Sequence, residues 1–260
     1  MPATTASAGL DRRRARWAHG FTLAALAGWG VAGWLLPPYL VAGPDVVAVR
    51  ALKFFTEPVD ALHLAVSFFH VLASVGIAFL LASVLALMNH YWPVTRIMIQ
   101  HRWYPFLNSF SGIGWAVLAV LWFGPSHLTV LFAISSTLTP FIFVNLREGL
   151  EALDKEVLEM GESFGRSRLR RFRLIVLPSL YPFIFAALRI AFGVGWKATL
   201  IAELFGTNLG LGYLINVARV EFDGATIFTV IALVVVIVYV TDRYVFAPAQ
   251  ARLSRHYVDA

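Results

Sequence analysis

Long apolar segments dominate the chain, and the run from Thr226 to Phe246 is almost purely aliphatic and aromatic. Hydrophobic residues make up 59% of the 260 residues and charged residues only 14%, which is unlike a soluble domain. A helix that crosses a bilayer needs about 20 mostly apolar residues, so the length accommodates about five or six such helices. No room is left for a separate soluble catalytic domain. We therefore predict an all-α, polytopic membrane protein.

Six apolar segments fit membrane-spanning helices within a single transmembrane domain over residues 17–250. Proline and glycine pairs separate some of them, such as Pro37-Pro38 after the first and Gly124-Pro125 between the third and fourth. Gly206 to Gly212 breaks any helix after the fifth span, and a short helical piece follows. The predicted spans cover residues 17–36, 68–88, 105–123, 127–146, 180–205 and 226–246, with tails at 1–16 and 251–260.

The first predicted span also fits a signal peptide, because a basic stretch precedes it and Val41-Ala42-Gly43 resembles a cleavage site. However, the apolar run is long for a signal peptide. Tryptophans near both of its ends fit a helix that is anchored at two membrane interfaces. We therefore expect this helix to be retained.

A shorter amphipathic segment follows Pro44. Apolar residues recur at helical spacing, with Arg50 and Lys53 between them. This pattern predicts a helix that lies on a surface. The apolar positions are Val46, Val49, Leu52 and Phe55.

Positive charges lie mostly on one side of the six-span topology. Sixteen of the 21 lysines and arginines fall in the N-terminal tail, in segments 91–103 and 147–173, or near the C-terminus. Cytoplasmic segments carry the excess of basic residues in membrane proteins, so we expect both termini in the cytoplasm. Orientation thus accounts for the formal net charge of +6, and no nucleic-acid partner is predicted.

The basic segment between the fourth and fifth spans has an ordered pattern of its own. It reads Glu159-Met160-Gly161, three residues, Gly165, nine residues, and then Ile175-Val176-Leu177-Pro178. Apolar residues before Gly165 recur at helical spacing, and the glycine permits a sharp turn. A short helix, a glycine turn and a second helix form a rigid knob that suits docking in a partner's cleft.

This pattern resembles the EAA loop of ATP-binding-cassette (ABC) importer permeases: Glu-Ala-Ala, three residues, Gly, nine residues, Ile-x-Leu-Pro. Met160 and Gly161 stand where the family has two alanines. Further landmarks over about residues 60–255 look like those of permeases in the nitrate, sulfonate, taurine and bicarbonate group. They are Leu121-Trp122-Phe123-Gly124, Pro182, Leu188-Arg189, Trp196, Ala202-Glu203 and Gly210-Leu211-Gly212.

The resemblance implies a multi-pass permease subunit of a type I ABC importer in the bacterial inner (plasma) membrane. Its implied partners are membrane lipid, a second permease copy in a homodimer, ABC ATPase subunits, and a periplasmic or lipid-anchored solute-binding protein. ATP and Mg²⁺ would be bound by the ATPase, and this chain itself would hold no cofactor. The resemblance assigns coupling to the ATPase to the loop 147–178, through Glu159, Gly161, Gly165, Ile175, Leu177 and Pro178.

No catalytic chemistry is predicted for the chain itself. It contains no Gly-x-x-x-x-Gly-Lys-Ser/Thr phosphate loop, so ATP hydrolysis is expected of a partner. It has no cysteine, and His63 and His70 would lie about 10 Å apart along a helix, too far to chelate one ion. A membrane enzyme is disfavoured, and a stand-alone secondary transporter or channel stays the alternative, although a carrier has no need of the loop pattern.

Four residues of the fifth span are candidates for the translocation pathway. Arg189, Trp196 and Glu203 are seven residues apart and share one stripe, with Lys197 about a quarter turn aside. Ionisable residues in spans usually face a bundle interior, a partner or a watery path, although Arg189 and Glu203 can also lie near the two interfaces. Two cations per subunit would attract an anionic solute, which agrees with the group's substrates without choosing among them.

Overall fold

A computed structural model describes residues 4–37, 39–153 and 172–250. Regular structure in these residues is entirely helical, which confirms the predicted all-α class. Within these ranges, three π-helical turns join or extend the helices: Ile99–Trp103, Phe172–Val176 and Asp242–Phe246. The α-helices are α1 (Thr4–Leu35), α2 (Pro44–Thr56), α3 (Pro58–Tyr91), α4 (Pro93–Met98), α5 (Tyr104–Ser109), α6 (Gly112–Phe123), α7 (His127–Glu151), α8 (Leu177–Gly206), α9 (Leu211–Val220) and α10 (Gly224–Thr241).

Helices occupy all six predicted span positions, but not all of them are long enough to cross a membrane alone. Within the described residues, four segments have the required length and apolar character. A bent pair, Pro93–Ser109 with Gly112–Phe123, is a fifth if both arms form one span, and Gly20–Leu35 is a shorter apolar helix. The four long segments are Pro58–Tyr91, His127–Glu151, Phe172–Gly206 and Gly224–Gln250.

The predicted third span, residues 105–123, is not a single straight helix. The helical segments before and after Phe110 meet at 85°. Phe110 is extended, and the Ser111 hydroxyl accepts a hydrogen bond from the Gly114 N–H, so Ser111 caps a new helix. The preceding segment 91–103, which the charge distribution predicts to be cytoplasmic, is largely helical and forms part of the other arm.

α3 has an inverted distribution of side chains, with its large apolar residues outside. Leu72, Leu80 and Val84 are exposed, whereas the buried face carries small and polar residues three or four positions apart. Small residues let helix backbones approach closely in a membrane, where apolar side chains gain nothing by leaving the lipid. The buried stripe includes Asp60, His63, Ser67, His70, Ser74, Ala78, Ala82, Ala86 and Asn89.

α8 is the central helix of the bundle. It packs against α3, α6, α7 and α9, and its 30 residues extend about 44 Å. It begins just after segment 154–171, which lies outside the described residues, and it ends at the predicted break after Gly206. α9 is the predicted short helix beyond that break. α8 therefore connects the predicted coupling loop with the opposite end of the bundle.

The predicted amphipathic helix over residues 44–55 is confirmed as α2. Val47 and Phe54 are buried against the bundle, while the predicted apolar positions remain exposed, as expected of a helix that lies on a surface. Arg50 lies 2.6 Å from Asp60 of α3 and its guanidinium stands 5.0 Å from the Phe54 ring centre. These contacts hold α2 against the start of α3.

Candidate functional site

The carboxylate of Glu203, in the last turn of α8, is fully buried. The Ser67 hydroxyl lies 2.8 Å from both carboxylate oxygens, and Nδ1 of His70 lies 2.7 Å from Oε1. The backbone N–H of Gly212 donates to Oε2 at 2.9 Å. A buried carboxylate needs such partners, because desolvating it without them is strongly unfavourable. Among the described residues these partners come from α3 and α9, and no lysine or arginine pairs with Glu203.

The first backbone amides of α9 all bind side chains of other helices. The Gly210 N–H donates to Nδ1 of His63 at 3.0 Å, and the Leu211 N–H donates to the Ser67 hydroxyl at 2.7 Å. The Gly212 N–H donates to Glu203, as above. A helix leaves its first N–H groups without partners inside the helix. Here α3 and α8 supply acceptors for three consecutive ones.

Two glycines permit this close approach. Gly210 has a φ of +109°, and a Cβ atom there would collide with the Glu203 carboxylate. A Cβ atom on Gly212 would collide with the Leu200 carbonyl oxygen. Only glycine combines this positive φ with contact to a buried carboxylate. The predicted Gly210-Leu211-Gly212 landmark thus has a specific role in the site.

The cluster also reaches the first residue of α7. Nε2 of His70 lies 2.9 Å from Nδ1 of His127, whose side chain is exposed. The Ser126 N–H donates to the Gly206 carbonyl at 2.7 Å, so the α6–α7 turn is bonded to the end of α8. The end of α8 is therefore joined to α3, α7 and α9. We call Glu203, Ser67, His63, His70 and the N-terminal amides of α9 the Glu203 cluster.

Two of the other predicted pathway residues are already engaged within the protein. Trp196 is fully buried and contacts Phe68 edge to face, with ring centres 4.9 Å apart. Arg189 binds the Asp242 carboxylate with two nitrogens, at 2.6 Å and 2.8 Å, and it also donates to Gln250 at 2.6 Å. Arg189 thus ties α8 to the C-terminal end of the last span.

Lys197 differs from these residues because its side chain is exposed. It forms no ion pair with any residue in the described ranges. Ile190, one of its neighbours on this face of α8, is also exposed, and a Cβ atom on Gly193 would meet no atom within 4 Å. Lys197 therefore lies on a face of α8 that the rest of the described chain leaves uncovered.

The predicted coupling residues fall into two groups. Glu159, Gly161 and Gly165 lie outside the described residues. Ile175 belongs to the π-helical turn Phe172–Val176, while Leu177 and Pro178 open α8. Pro178 thus follows a π-helical turn directly, within a helical segment that continues from Phe172 to Gly206.

Sequence reasoning missed most of the Glu203 cluster. It considered His63 and His70 only as a metal pair, and it did not select Ser67 or His127. In the described residues, no group of three or more histidines and carboxylates is arranged to hold a metal ion. The available signal was the stripe of polar residues three or four apart in the apolar α3, which indicates a buried polar face.

The model of the family of binding-protein-dependent transport system inner membrane components matches residues 16–250. The chain belongs to this family. It is therefore the inner-membrane permease of an ABC importer, a multi-pass transport component rather than the ATPase. An ABC ATPase and a solute-binding protein are the partners that such a permease requires.

Three curated relatives carry names that describe their transport systems. ThiX of Halalkalibacterium halodurans, a formylaminopyrimidine transport permease protein, is 27% identical over 213 residues, or 80% of this chain and 83% of ThiX. TauC of Escherichia coli (strain K12), a taurine transport system permease protein, is 23% identical over 210 residues, or 80% and 75%. SsuC of the same organism, named for aliphatic sulfonates transport, is 35% identical over 103 residues, which is 39% of either chain.

A solved structure has a similar fold. It is described as the crystal structure of an amino acid ABC transporter with histidines, and it aligns with a TM-score of 0.60 at 18% identity. The alignment covers 80% of the permease and 96% of that chain. The permease therefore has the type I ABC importer permease fold.

Proposed function

We propose that the permease forms the translocation pathway for a small anionic solute of the nitrate, sulfonate, taurine or bicarbonate class. The observation that carries this proposal is the exposed ammonium of Lys197. Lys197 lies nine residues before the end of α8, about 14 Å along the helix axis and so near the middle of a bilayer. Contact of an ammonium with lipid chains at this depth is unfavourable, so a watery path or a partner must cover it.

The surroundings of Arg189 and Lys197 support one positive charge in the translocation pathway of each protomer rather than two. Arg189 is paired with Asp242, whose carboxylate balances its charge. Lys197 has no such partner in the described part of the chain and can attract an anion. The names of SsuC and TauC agree with an anionic sulfonate solute, whereas ThiX is named for a formylaminopyrimidine. The exposed ammonium of Lys197 is the reason to favour an anionic solute over a formylaminopyrimidine.

The cover that we propose for this face of α8 is a second copy of the permease. Gly193, one turn before Lys197, opens onto empty space and would let another helix backbone approach closely. A homodimer would place two Lys197 side chains around one path. Membrane lipid would then contact the remaining apolar surface, such as the exposed face of α3.

We also propose that the loop 147–178 couples the permease to its ATPase, where ATP and Mg²⁺ would bind. Support comes from the helices that hold the two ends of the loop. Gly149 of α7 packs so closely on α8 that a Cβ atom there would lie 2.7 Å from Cγ of Phe183. Glu151, at the end of α7, lies 3.7 Å from Arg96 and 3.6 Å from Arg147. The helices at the two ends of the loop are therefore held firmly, and a loop that transmits force needs such support.

Lys197→Ala tests the pathway proposal in proteoliposomes that contain the permease, its ATPase and its binding protein. Uptake of labelled taurine, an alkanesulfonate, nitrate and bicarbonate would identify the solute. We expect the transported solute to enter about tenfold more slowly, as a lost interaction of about 1.4 kcal/mol predicts. The ATPase should stay bound. Lys53→Ala, at an exposed lysine of α2, is the matched control, and full uptake by Lys197→Ala would refute the role of Lys197.

Gly165→Val tests the coupling proposal. A β-branched residue disfavours the positive φ that the predicted turn needs, so stimulation of ATP hydrolysis by the loaded binding protein should fall while the protein stays inserted. Gly76→Val in α3 is the control, because a Cβ atom there meets nothing within 4 Å. Normal stimulation and uptake in Gly165→Val would contradict the proposal. Uptake without ATP would instead favour a stand-alone transporter or channel.

A further inference from the structure

We propose that His63, Ser67 and Glu203 are positioning residues that fasten α9 to α3 and α8, so that α9 follows every movement of α8. The movement would originate at the loop 147–178, and in this respect the inference rests on the proposed function. α9 would carry that movement to the opposite end of the bundle, where the binding protein would deliver solute. None of the three residues needs to contact the solute for this role.

α9 depends on outside contacts for its position. It has only ten residues, and an isolated helix of that length is only marginally stable in water. Its first residue, Leu211, is fully buried, and the side chain of Tyr213 stacks on His63 with ring centres 5.8 Å apart. Together with the three amide bonds, these contacts attach the N-terminus of α9 to α3 and α8.

The attachment is rigid because its bonds share partners. Ser67 donates to Glu203 and accepts from Leu211, while Glu203 also accepts from Gly212. Tilting α9 away from α8 would break these bonds together and leave a buried carboxylate and buried amides unsatisfied. The carboxylate also lies at the N-terminus of α9, where the helix dipole favours negative charge. Separation is therefore strongly unfavourable.

α8 is long enough to join this attachment to the coupling loop. It runs without a break from Leu177, next to the loop, to Glu203 and Gly206. At its far end, the Ser126–Gly206 hydrogen bond and the His70–His127 contact bring in the start of α7. A displacement at Pro178 therefore reaches α3, α7 and α9 through one continuous helix.

Hydrogen exchange tests the attachment directly, because its bonds involve backbone amides. Ser67→Ala removes the acceptor of the Leu211 N–H and a donor to Glu203. Ser74→Ala is the matched control on the same buried face of α3, because the Ser74 hydroxyl has no hydrogen-bond partner among the described residues. Glu203→Gln is the second variant. The side-chain amide of glutamine has an NH2 group, which would place a hydrogen-bond donor next to the Gly212 N–H or next to His70.

Exchange is measured by mass spectrometry on the permease assembled with its ATPase. In Ser67→Ala and Glu203→Gln, we expect amides of the peptide 207–213 to exchange about tenfold faster, while peptides from the middle of α8 are unchanged. Ser74→Ala should leave the peptide as in the native protein. Unchanged exchange in both cluster variants would overturn the attachment.

Transport then separates positioning from simple stabilisation. In Ser67→Ala, binding-protein-stimulated ATP hydrolysis should stay within about twofold while uptake falls about fivefold, because α8 moves but α9 no longer follows. An equal loss of both, with faster exchange throughout the protein, would overturn the positioning role. If Gly165→Val proves normal while peptide 207–213 responds as expected, the coupling proposal fails and the attachment stands.

Discussion

Glu203 and Arg189, two residues of α8 with polar contacts to other helices, lie 14 residues apart on one stripe and differ in their surroundings. Glu203 has no exposed side-chain surface and binds a hydroxyl, a histidine and a backbone amide. Arg189 and Asp242 remain 36% and 44% exposed and bind each other. Water can replace the partners of an exposed pair, whereas a buried carboxylate has no substitute. The same helix thus uses one charge to fix backbone geometry and another to join two helices at an accessible edge.

Gly210→Ala should give the largest effect, because it acts on the buried site through the backbone. The new Cβ atom collides with the Glu203 carboxylate at a positive φ that alanine rarely adopts. We expect a loss of about 2–4 kcal/mol in the free energy of unfolding. The measurement is the thermal unfolding midpoint in detergent, followed by tryptophan fluorescence.

Gly76→Ala is the control for this substitution, since its position on α3 is open. Alanine favours a helix over glycine, so the midpoint should stay the same or rise. Equal midpoints for Gly210→Ala and Gly76→Ala would show that the turn at Gly210 can relax, and the contrast between the two ends of α8 would weaken.

His70→Phe should have an intermediate effect, because it removes one partner of Glu203 and leaves the others. The expected loss is about 1–3 kcal/mol, typical of a buried polar group that loses a partner. His127→Phe, on the exposed side of the same contact, should change stability by only about 0.5 kcal/mol. Unfolding midpoints of both variants check this order, and a larger effect at His127 would reverse our interpretation of where the cluster is anchored.

Charge reversal at Arg189 should affect stability less than the loss of His70. Arg189→Asp places a second carboxylate beside that of Asp242 at an exposed edge of the bundle. The two negative charges repel each other, so the unfolding midpoint should fall, but less than in His70→Phe. The exchange of both charges, Arg189→Asp with Asp242→Arg, should recover most of the loss. Raising the salt concentration should weaken the native pair and leave the effect of His70→Phe unchanged. A midpoint for the double variant no higher than that for Arg189→Asp alone would refute the pairing.

Much of the fold follows from local patterns in the sequence. The start of α2 at Pro44 and the break after Gly206 are set by residues whose own backbone preferences decide them. The 85° bend was missed, although Ser111 is a residue that commonly caps helices. Its apolar surroundings masked the signal, because the hydropathy of residues 105–123 is that of a continuous span.

The sequence alone determined that the chain is a helical membrane protein, and its landmarks indicated the importer family. It also placed Arg189, Trp196 and Glu203 on one stripe of α8. Only the tertiary structure decided what that stripe does, because Ser67 and His70 meet Glu203 across more than 130 residues of chain. The alignment of α3 against α8 depends on how small residues let their backbones pack, and no local pattern encodes it. The packing of α8 in the bundle buries Glu203 against α9, leaves Lys197 exposed and brings Arg189 to Asp242 at the end of the last span.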